Sequence, residues 1–199
     1  MDYLFAGSPQ QAHAIAEGMI ADAVCLSSSE EMDRLAAHNN LLTESWRDRY
    51  PYGSSPFYSC IVFLVRTPVA DQVSDWADLA NPELRVSMPD PRTSGAGRYA
   101  YLALVHASKI SVTDQPIERL RWTRFIVSID FISLSSPNAF DKFHQEGHAD
   151  VFLTWESEAL RIRRSKLAEQ YRLVYPSFSI KCEPVVAVLD KHTQKRGTY

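Results

Sequence analysis

Leu84-Arg85-Val86-Ser87-Met88-Pro89-Asp90-Pro91-Arg92-Thr93-Ser94-Gly95-Ala96-Gly97-Arg98-Tyr99 changes its period halfway along. Residues 84–88 alternate as a strand does, and Pro89 and Pro91 stop that pattern. From Tyr99 onward, Leu102, Ala103 and His106 recur at helical spacing. A loop of small residues therefore turns a strand into a helix. Such a turn leaves unpaired backbone N–H groups at the positive end of the helix, where an anion is favoured. The glycines are not followed by Lys-Ser/Thr, so the loop is not a Walker A sequence, and Gly95-Ala96-Gly97 lacks dinucleotide-fingerprint spacing. Taken alone, the glycines are equally explained by a tight helix start that binds nothing.

Working outward, the 199 residues are 45% hydrophobic, enough to bury a core in one domain or two small ones. A formal charge of −3 argues against nucleic acid as a partner and against an anionic membrane surface. No apolar run approaches the roughly 20 residues needed to cross a bilayer. Met1-Asp2-Tyr3 lacks the basic start and apolar core of a signal peptide. Cys25, Cys60 and Cys182 are too few and too scattered for a disulfide framework or a zinc site. Cys25 and Cys60 lie in apolar runs and are expected to be small core residues.

In chain order, Tyr3-Leu4-Phe5-Ala6 reads as a short strand and Gly7-Ser8-Pro9 as a turn into a helix over about residues 10–20. Ser8 is the expected N-cap, with Pro9 at the first helical position. Ala21 to Leu26 reads as a buried strand, and Ser27-Ser28-Ser29-Glu30-Glu31 caps a helix through about His38. Ser59-Cys60-Ile61-Val62-Phe63-Leu64-Val65-Arg66 is the strongest strand, its continuous apolar run predicting burial on both faces. Asp75-Trp76-Ala77-Asp78-Leu79 is a helical turn. Helices are expected over about 96–107 and 115–127, then a strand at Phe131-Ile132-Ser133. The turn Ser135-Ser136-Pro137 opens a helix over about 138–146 that ends at Gly147. Asp150 to Trp155, Tyr171 to Tyr175 and Pro184 to Leu189 are strands, and Glu156 to about Leu167 is a helix. Alternating strands and helices make the class α/β.

Three strand-to-helix turns are thus built from small residues, at Ser8, at Ser94-Gly95-Ala96 and at Ser136. Brought together, their N–H groups and hydroxyls would cage an oxyanion without any Lys or Arg. In α/β sheets ligands sit beyond the carboxyl ends of strands, where such turns lie. Trp155 also ends a strand, and its indole N–H donates without accepting. A core anchor with a locally bonded N–H explains Trp155 equally well.

The segments Ser59 to Arg66, Asp75 to Leu79, Asp90 to Gly95, Trp155-Glu156-Ser157-Glu158-Ala159-Leu160, and Pro176-Ser177-Phe178-Ser179-Ile180 with Glu183-Pro184 resemble the periplasmic sulfate/thiosulfate-binding proteins of ABC importers. The resemblance runs nearly ungapped from about Gly7 to Thr198. It implies a two-lobed periplasmic-binding-protein-like (type II) architecture, with mixed sheets flanked by helices. The lobes are expected at 1–62, 63–182 and, returning to the first, 183–199. The family holds one dehydrated sulfate mostly through backbone N–H groups. By position these fall on Ser8, Gly95, Ala96 and Ser136, with the hydroxyl donor on Ser94 and the indole donor on Trp155. The resemblance further implies an ABC permease as partner, a periplasmic location, no cofactor and no catalysis.

This chain departs from the family pattern in several places. Ala96 replaces a glycine and needs φ below zero. Pro9 is expected to hold Ser8 extended. Ser136-Pro137 stands where the family has Ala-Arg, which removes a positive charge. The likeness also leaves the first lobe incomplete, without one N-terminal strand and the last helices. Either residues 3–6 close the gap or two chains pair there as a homodimer.

Competing chemistry is weaker. His144-Gln145-Glu146-Gly147-His148 has the wrong order for a zinc helix, and Gly147 interrupts it, so no metal site is expected. Asp141 with Glu146, and Glu156 with Glu158, read as solvated helix charges. Ser94 has no nucleophile-elbow sequence around it. Arg98 is expected to brace its lobe, and Arg161 to Lys166 to be a solvated helix face or a permease-docking surface. Three functions are open: an oxyanion-delivering importer component, a diverged relative that binds sulfate weakly or not at all, and a regulator's sensing module. No helix-turn-helix segment supports the last.

Overall fold

In the computed structural model, residues 3–38, 40–111, 116–132 and 136–198 are described, with the side chains of 111, 116–118, 120, 136 and 137 left aside. The chain forms two compact units, Met1–Ser59 with Cys182–Tyr199, and Cys60–Lys181.

The smaller unit holds α1 (Ser8–Ala16), β1 (Ala23–Leu26), α2 (Ser29–Ala36), the short α3 (Pro51–Ser54), β8 (Val185–Val188) and α8 (Asp190–Arg196). β1 and β8 pair antiparallel as a two-stranded sheet, Val24 opposite Ala187 and Leu26 opposite Val185. Alternation along β1 turns Val24 and Leu26 into the core with Met32, Leu35 and Trp46, and leaves Cys25 exposed. Cys25 is therefore not a core residue. A two-stranded sheet covers one face, so the apolar run there is half-buried. Cys60 is only partly buried, and Cys182 is the buried thiol. α2 starts where expected, with the Ser28 hydroxyl accepting from the Glu31 N–H at 3.4 Å.

Residues 3–6 do not form the expected strand. Tyr3, Leu4 and Phe5 are 71%, 64% and 89% exposed. β propensity without a partner strand has no ladder to join. α1 also begins earlier than expected, with Gly7 as its N-cap and Ser8 as its first residue. The Gly7 N–H donates to Gln10 Oε1 (2.9 Å), and the Ser8 hydroxyl accepts from the Ser27 N–H (2.9 Å) instead of capping its own helix.

The larger unit is built on a mixed sheet: β2 (Ser59–Arg66), β3 (Val86–Pro89), β4 (Asp130–Ile132), β5 (Val151–Trp155) and β6 (Tyr171–Val174), in the order β4-β3-β5-β2-β6, with β7 (Lys181–Cys182) also on β2. β3 runs parallel to β4 and β5, while β2 runs antiparallel to β5 and β6. Residues Ile61–Val65 are completely buried, as the continuous apolar run requires of a strand covered on both faces. Helices α4 (Gly95–Ser111), α5 (Pro116–Ser128), α6 (Ser136–Glu146) and α7 (Glu156–Arg163) complete the unit. The expected strand residue Ser133, the turn residue Ser135 and the expected helix start at 115 lie outside the described residues. One face of the sheet packs Phe140, Phe143, Phe152 and Tyr171 together. Arg66 crosses this cluster, donating to the carbonyls of Ala149 and Phe143 (2.8 Å each), with its guanidinium 4.6 Å from the Phe143 ring centroid. Among the described residues no helix is long and apolar enough to cross a membrane.

Candidate functional site

The site is built on the carboxyl end of β3. Asp90 donates its N–H to the Ile132 carbonyl of β4 (2.9 Å), and its own carbonyl accepts from the Thr93 and Ser94 N–H groups. Its buried carboxylate accepts from the Arg92 N–H (2.8 Å) and guanidinium (2.6 Å), which ties down the loop. Ser94 then caps α4. Its carbonyl accepts from the Arg98 N–H (3.0 Å) and its hydroxyl oxygen from the Gly97 N–H (3.4 Å).

That leaves the N–H groups of Gly95 and Ala96, at the first two helical positions, with no acceptor among the described residues. These are the orphan donors every helix start must place somewhere. The Ser94 oxygen, already accepting, keeps its own proton free to donate. Arg98 reaches back along the loop, with Nε donating to the Pro91 carbonyl (3.1 Å).

Gly97, read from the sequence only as part of a tight helix start, is the glycine this turn depends on. A Cβ built there would stand 2.3 Å from the Pro89 carbonyl oxygen and 2.7 Å from the Asp90 carbonyl carbon. The first turn of α4 is therefore pressed against the end of β3. Local sequence carries no sign of this, since the contact is backbone against backbone.

Strand order brings the neighbouring candidates to the same edge. β4, β3 and β5 are adjacent and parallel, so their carboxyl ends lie side by side, with neighbouring strands about 4.8 Å apart. Ser94-Gly95-Ala96 follow β3, Ser136 opens the helix after β4, and Trp155 ends β5. Five of the six expected residues thus share one sheet edge. Trp155 is half-buried, and its indole N–H has no acceptor among the described residues. The Tyr99 ring lies against it, centroids 5.3 Å apart and tilted by 50°. The sixth residue, Ser8, belongs to the other unit. Its N–H, too, has no acceptor among the described residues.

Next to Trp155, Glu156 accepts from the Tyr175 hydroxyl at 2.7 Å. Burial, then this bond and the carboxylate charge, push the Tyr175 phenol up to about 12. Two further carboxylates are also engaged. Glu158 accepts from Arg161 (2.5 Å) and raises its guanidinium pKa, and Glu146 pairs with Lys142 (3.6 Å).

The two histidines of the 144–148 stretch part company. His144 Nδ1 meets the Tyr171 hydroxyl at 2.7 Å. His148, beyond the turn at Gly147 (φ +68), lies 3.1 Å from Asp130 and 3.5 Å from Glu146. Asp130, Glu146 and His148 offer ligand atoms within 4.8 Å of one another, a grouping the sequence conceals because Asp130 is distant in the chain. Glu146 and His148 are exposed and Asp130 is half-buried, and Glu146 also lies 3.6 Å from the Lys142 ammonium.

The chain matches the thiosulfate-binding protein of Escherichia coli K12 at 34% identity, over 97% of this chain and 57% of that protein. The sulfate-binding protein of the same organism matches at 34%, over 96% and 58%. The chain therefore spans a little over half the length of these relatives. Among solved structures, the sulfate-binding protein SubI from Mycobacterium tuberculosis H37Rv superposes with a TM-score of 0.76 at 26% identity, covering 92% of this chain and 62% of that one. A periplasmic thiamin binding protein shares the fold with a TM-score of 0.67 at 18% identity. The expected periplasmic-binding-protein-like α/β class is thus the observed one. Residues 1–197 match the model of bacterial extracellular solute-binding proteins, and the chain belongs to that family.

Proposed function

We propose that the protein binds a tetrahedral oxyanion, sulfate or thiosulfate, as the solute-binding component of an ABC importer, and works in the periplasm. The carrying observation is the set of uncommitted donors at one sheet edge. The N–H groups of Gly95 and Ala96 and the Trp155 indole have no acceptors among the described residues, and the Ser94 hydroxyl proton is free. In this reading the Ser136 N–H joins them, and Ser8, on the smaller unit, is a further candidate donor. A site made of donors alone selects a fully ionised anion. A ligand that keeps a proton would bury that proton without an acceptor. The relatives named for sulfate and thiosulfate support the choice of ligand. The permease of the importer is the partner that takes the loaded protein.

The test is calorimetry and thermal shift with sulfate, thiosulfate, molybdate and phosphate at neutral pH. Binding stabilises by RT ln(1 + [L]/Kd), so ligand at 100 Kd should contribute about 2.7 kcal/mol. Sulfate or thiosulfate should stabilise the protein more than phosphate does. No shift at millimolar sulfate or thiosulfate overturns the reading.

The exposed Tyr3, Leu4 and Phe5 favour a second reading, in which the chain self-associates as a homodimer and binds the anion weakly. Light scattering decides it. A monomer at all concentrations, unchanged when these three residues are made polar, removes the second reading.

A further inference from the structure

We infer that Tyr99 is a positioning residue that holds the Trp155 indole in its donating orientation. The inference rests on the oxyanion reading above and extends it to a residue that need not touch the ligand. Tyr99 lies one helical turn after Gly95 on α4. Helical side chains lean back toward the N-terminus, so its ring covers the turn that carries the free N–H groups of Gly95 and Ala96. The same ring packs on Trp155, with centroids 5.3 Å apart and planes inclined by 50°. Trp155 stands where β5 gives way to α7, and both rings are half-buried.

An indole at such a junction has two side-chain torsions to fix. Among the described residues its N–H has no protein acceptor to fix them before ligand arrives. The Tyr99 ring supplies that restraint by packing. It also ties the orientation of the indole to the helix that presents the other donors. One aromatic contact thus sets the spacing between the indole donor and the backbone donors, and it does so before any anion is present.

The test compares the wild-type chain with Tyr99→Phe, Tyr99→Leu and Tyr99→Ala, measuring sulfate affinity by calorimetry. It also follows the Trp155 indole N–H by nitrogen–proton correlation spectroscopy, assigned with Trp155→Phe. Tyr99→Ala should weaken sulfate binding by about three- to tenfold. It should also broaden or shift the Trp155 indole signal in the ligand-free protein. Tyr99→Phe, which keeps the ring, should restore both. Tyr99→Leu keeps apolar bulk without a ring and serves if the alanine variant fails to fold; it should lose affinity and broaden the signal. If wild type binds sulfate and the alanine or leucine variant binds equally with an unchanged indole signal, the positioning role is wrong. If wild type binds neither sulfate nor thiosulfate, the oxyanion reading itself falls, and the ligand-free indole signal then shows whether Tyr99 orders Trp155 at all.

Discussion

Gly97 and Pro89 meet backbone to backbone: a Cβ on residue 97 would sit 2.3 Å from the Pro89 carbonyl oxygen. Neither side of that contact is a flexible side chain. Gly97→Ala must push the first turn of α4 off the end of β3. It is expected to destabilise the protein by about 3 kcal/mol or more. A urea midpoint that does not move would show that the turn has slack.

Ser94 both caps α4 and, in the proposed function, donates to the anion. Ser94→Ala should therefore cost about 1 kcal/mol of stability through the lost cap. It should also cost about 1.5–3 kcal/mol of sulfate affinity through a lost charge-assisted bond. Trp155→Phe should lose affinity on the same scale while leaving the α4 cap untouched. Calorimetry and denaturation on both variants separate the two roles.

Ser87 is completely buried in β3, and its hydroxyl has no partner among the described residues. Ser87→Ala removes that unmet polar group and almost no volume. It should raise stability by about 1 kcal/mol, seen as a higher thermal midpoint. A lower midpoint would mean that the hydroxyl has a partner after all.

Asp78 lies inside the turn Trp76–Ala80 that Asp75 caps and reaches back, accepting on Oδ2 from the Ser74 N–H (2.9 Å), the Ser74 hydroxyl (2.7 Å) and the Asp75 N–H (2.9 Å). Burial pushes its pKa up, but these bonds outweigh burial and hold it below the usual carboxylate value. Asp75 behaves alike. Burial is again outweighed, there by bonds from Ser177 and from the Trp76 N–H. In the folded protein both sites therefore release their protons at lower pH than in the unfolded chain. Their stabilisation is complete above the unfolded value near 4 and is lost as pH falls through the lower folded values. Asp78→Asn should destabilise at pH 7 by about 1 kcal/mol and show less loss than wild type between pH 5 and 2. Parallel pH profiles for the two proteins would contradict this.

The parts of the fold legible in the sequence are those decided by local pattern. The apolar run Ile61–Val65 states its own two-sided burial, and the Asp90 to Tyr99 loop states its strand-to-helix turn. Cys25 misleads because alternation cannot say whether a strand's second face is covered; that depends on how many strands the sheet has. Tyr3 to Ala6 mislead for the related reason that β propensity is realised only against a partner. Ser8 looks like a cap, yet its hydroxyl is claimed by Ser27, nineteen residues on. At the candidate site, Ser94, Gly95, Ala96 and Trp155 were legible as residues at element ends. The close approach of Gly97 to β3 and the packing of Tyr99 on Trp155 were not, because they exist only once α4 has docked on β3 and β5.

β1 pairs with β8 across the whole of the larger unit, from Ala23↔Val188 to Leu26↔Val185. During synthesis the chain completes residues 60–181 before β8 exists, so the larger unit can fold while the smaller one still waits for its second strand. Closing so long a loop onto a two-stranded sheet is slow, and entropically costly if the intervening chain is still unfolded. The edge where β4, β3 and β5 end should accordingly mature first. Until β8 arrives, Val24 and Leu26 of β1, which the finished fold buries, have no partner strand to cover them.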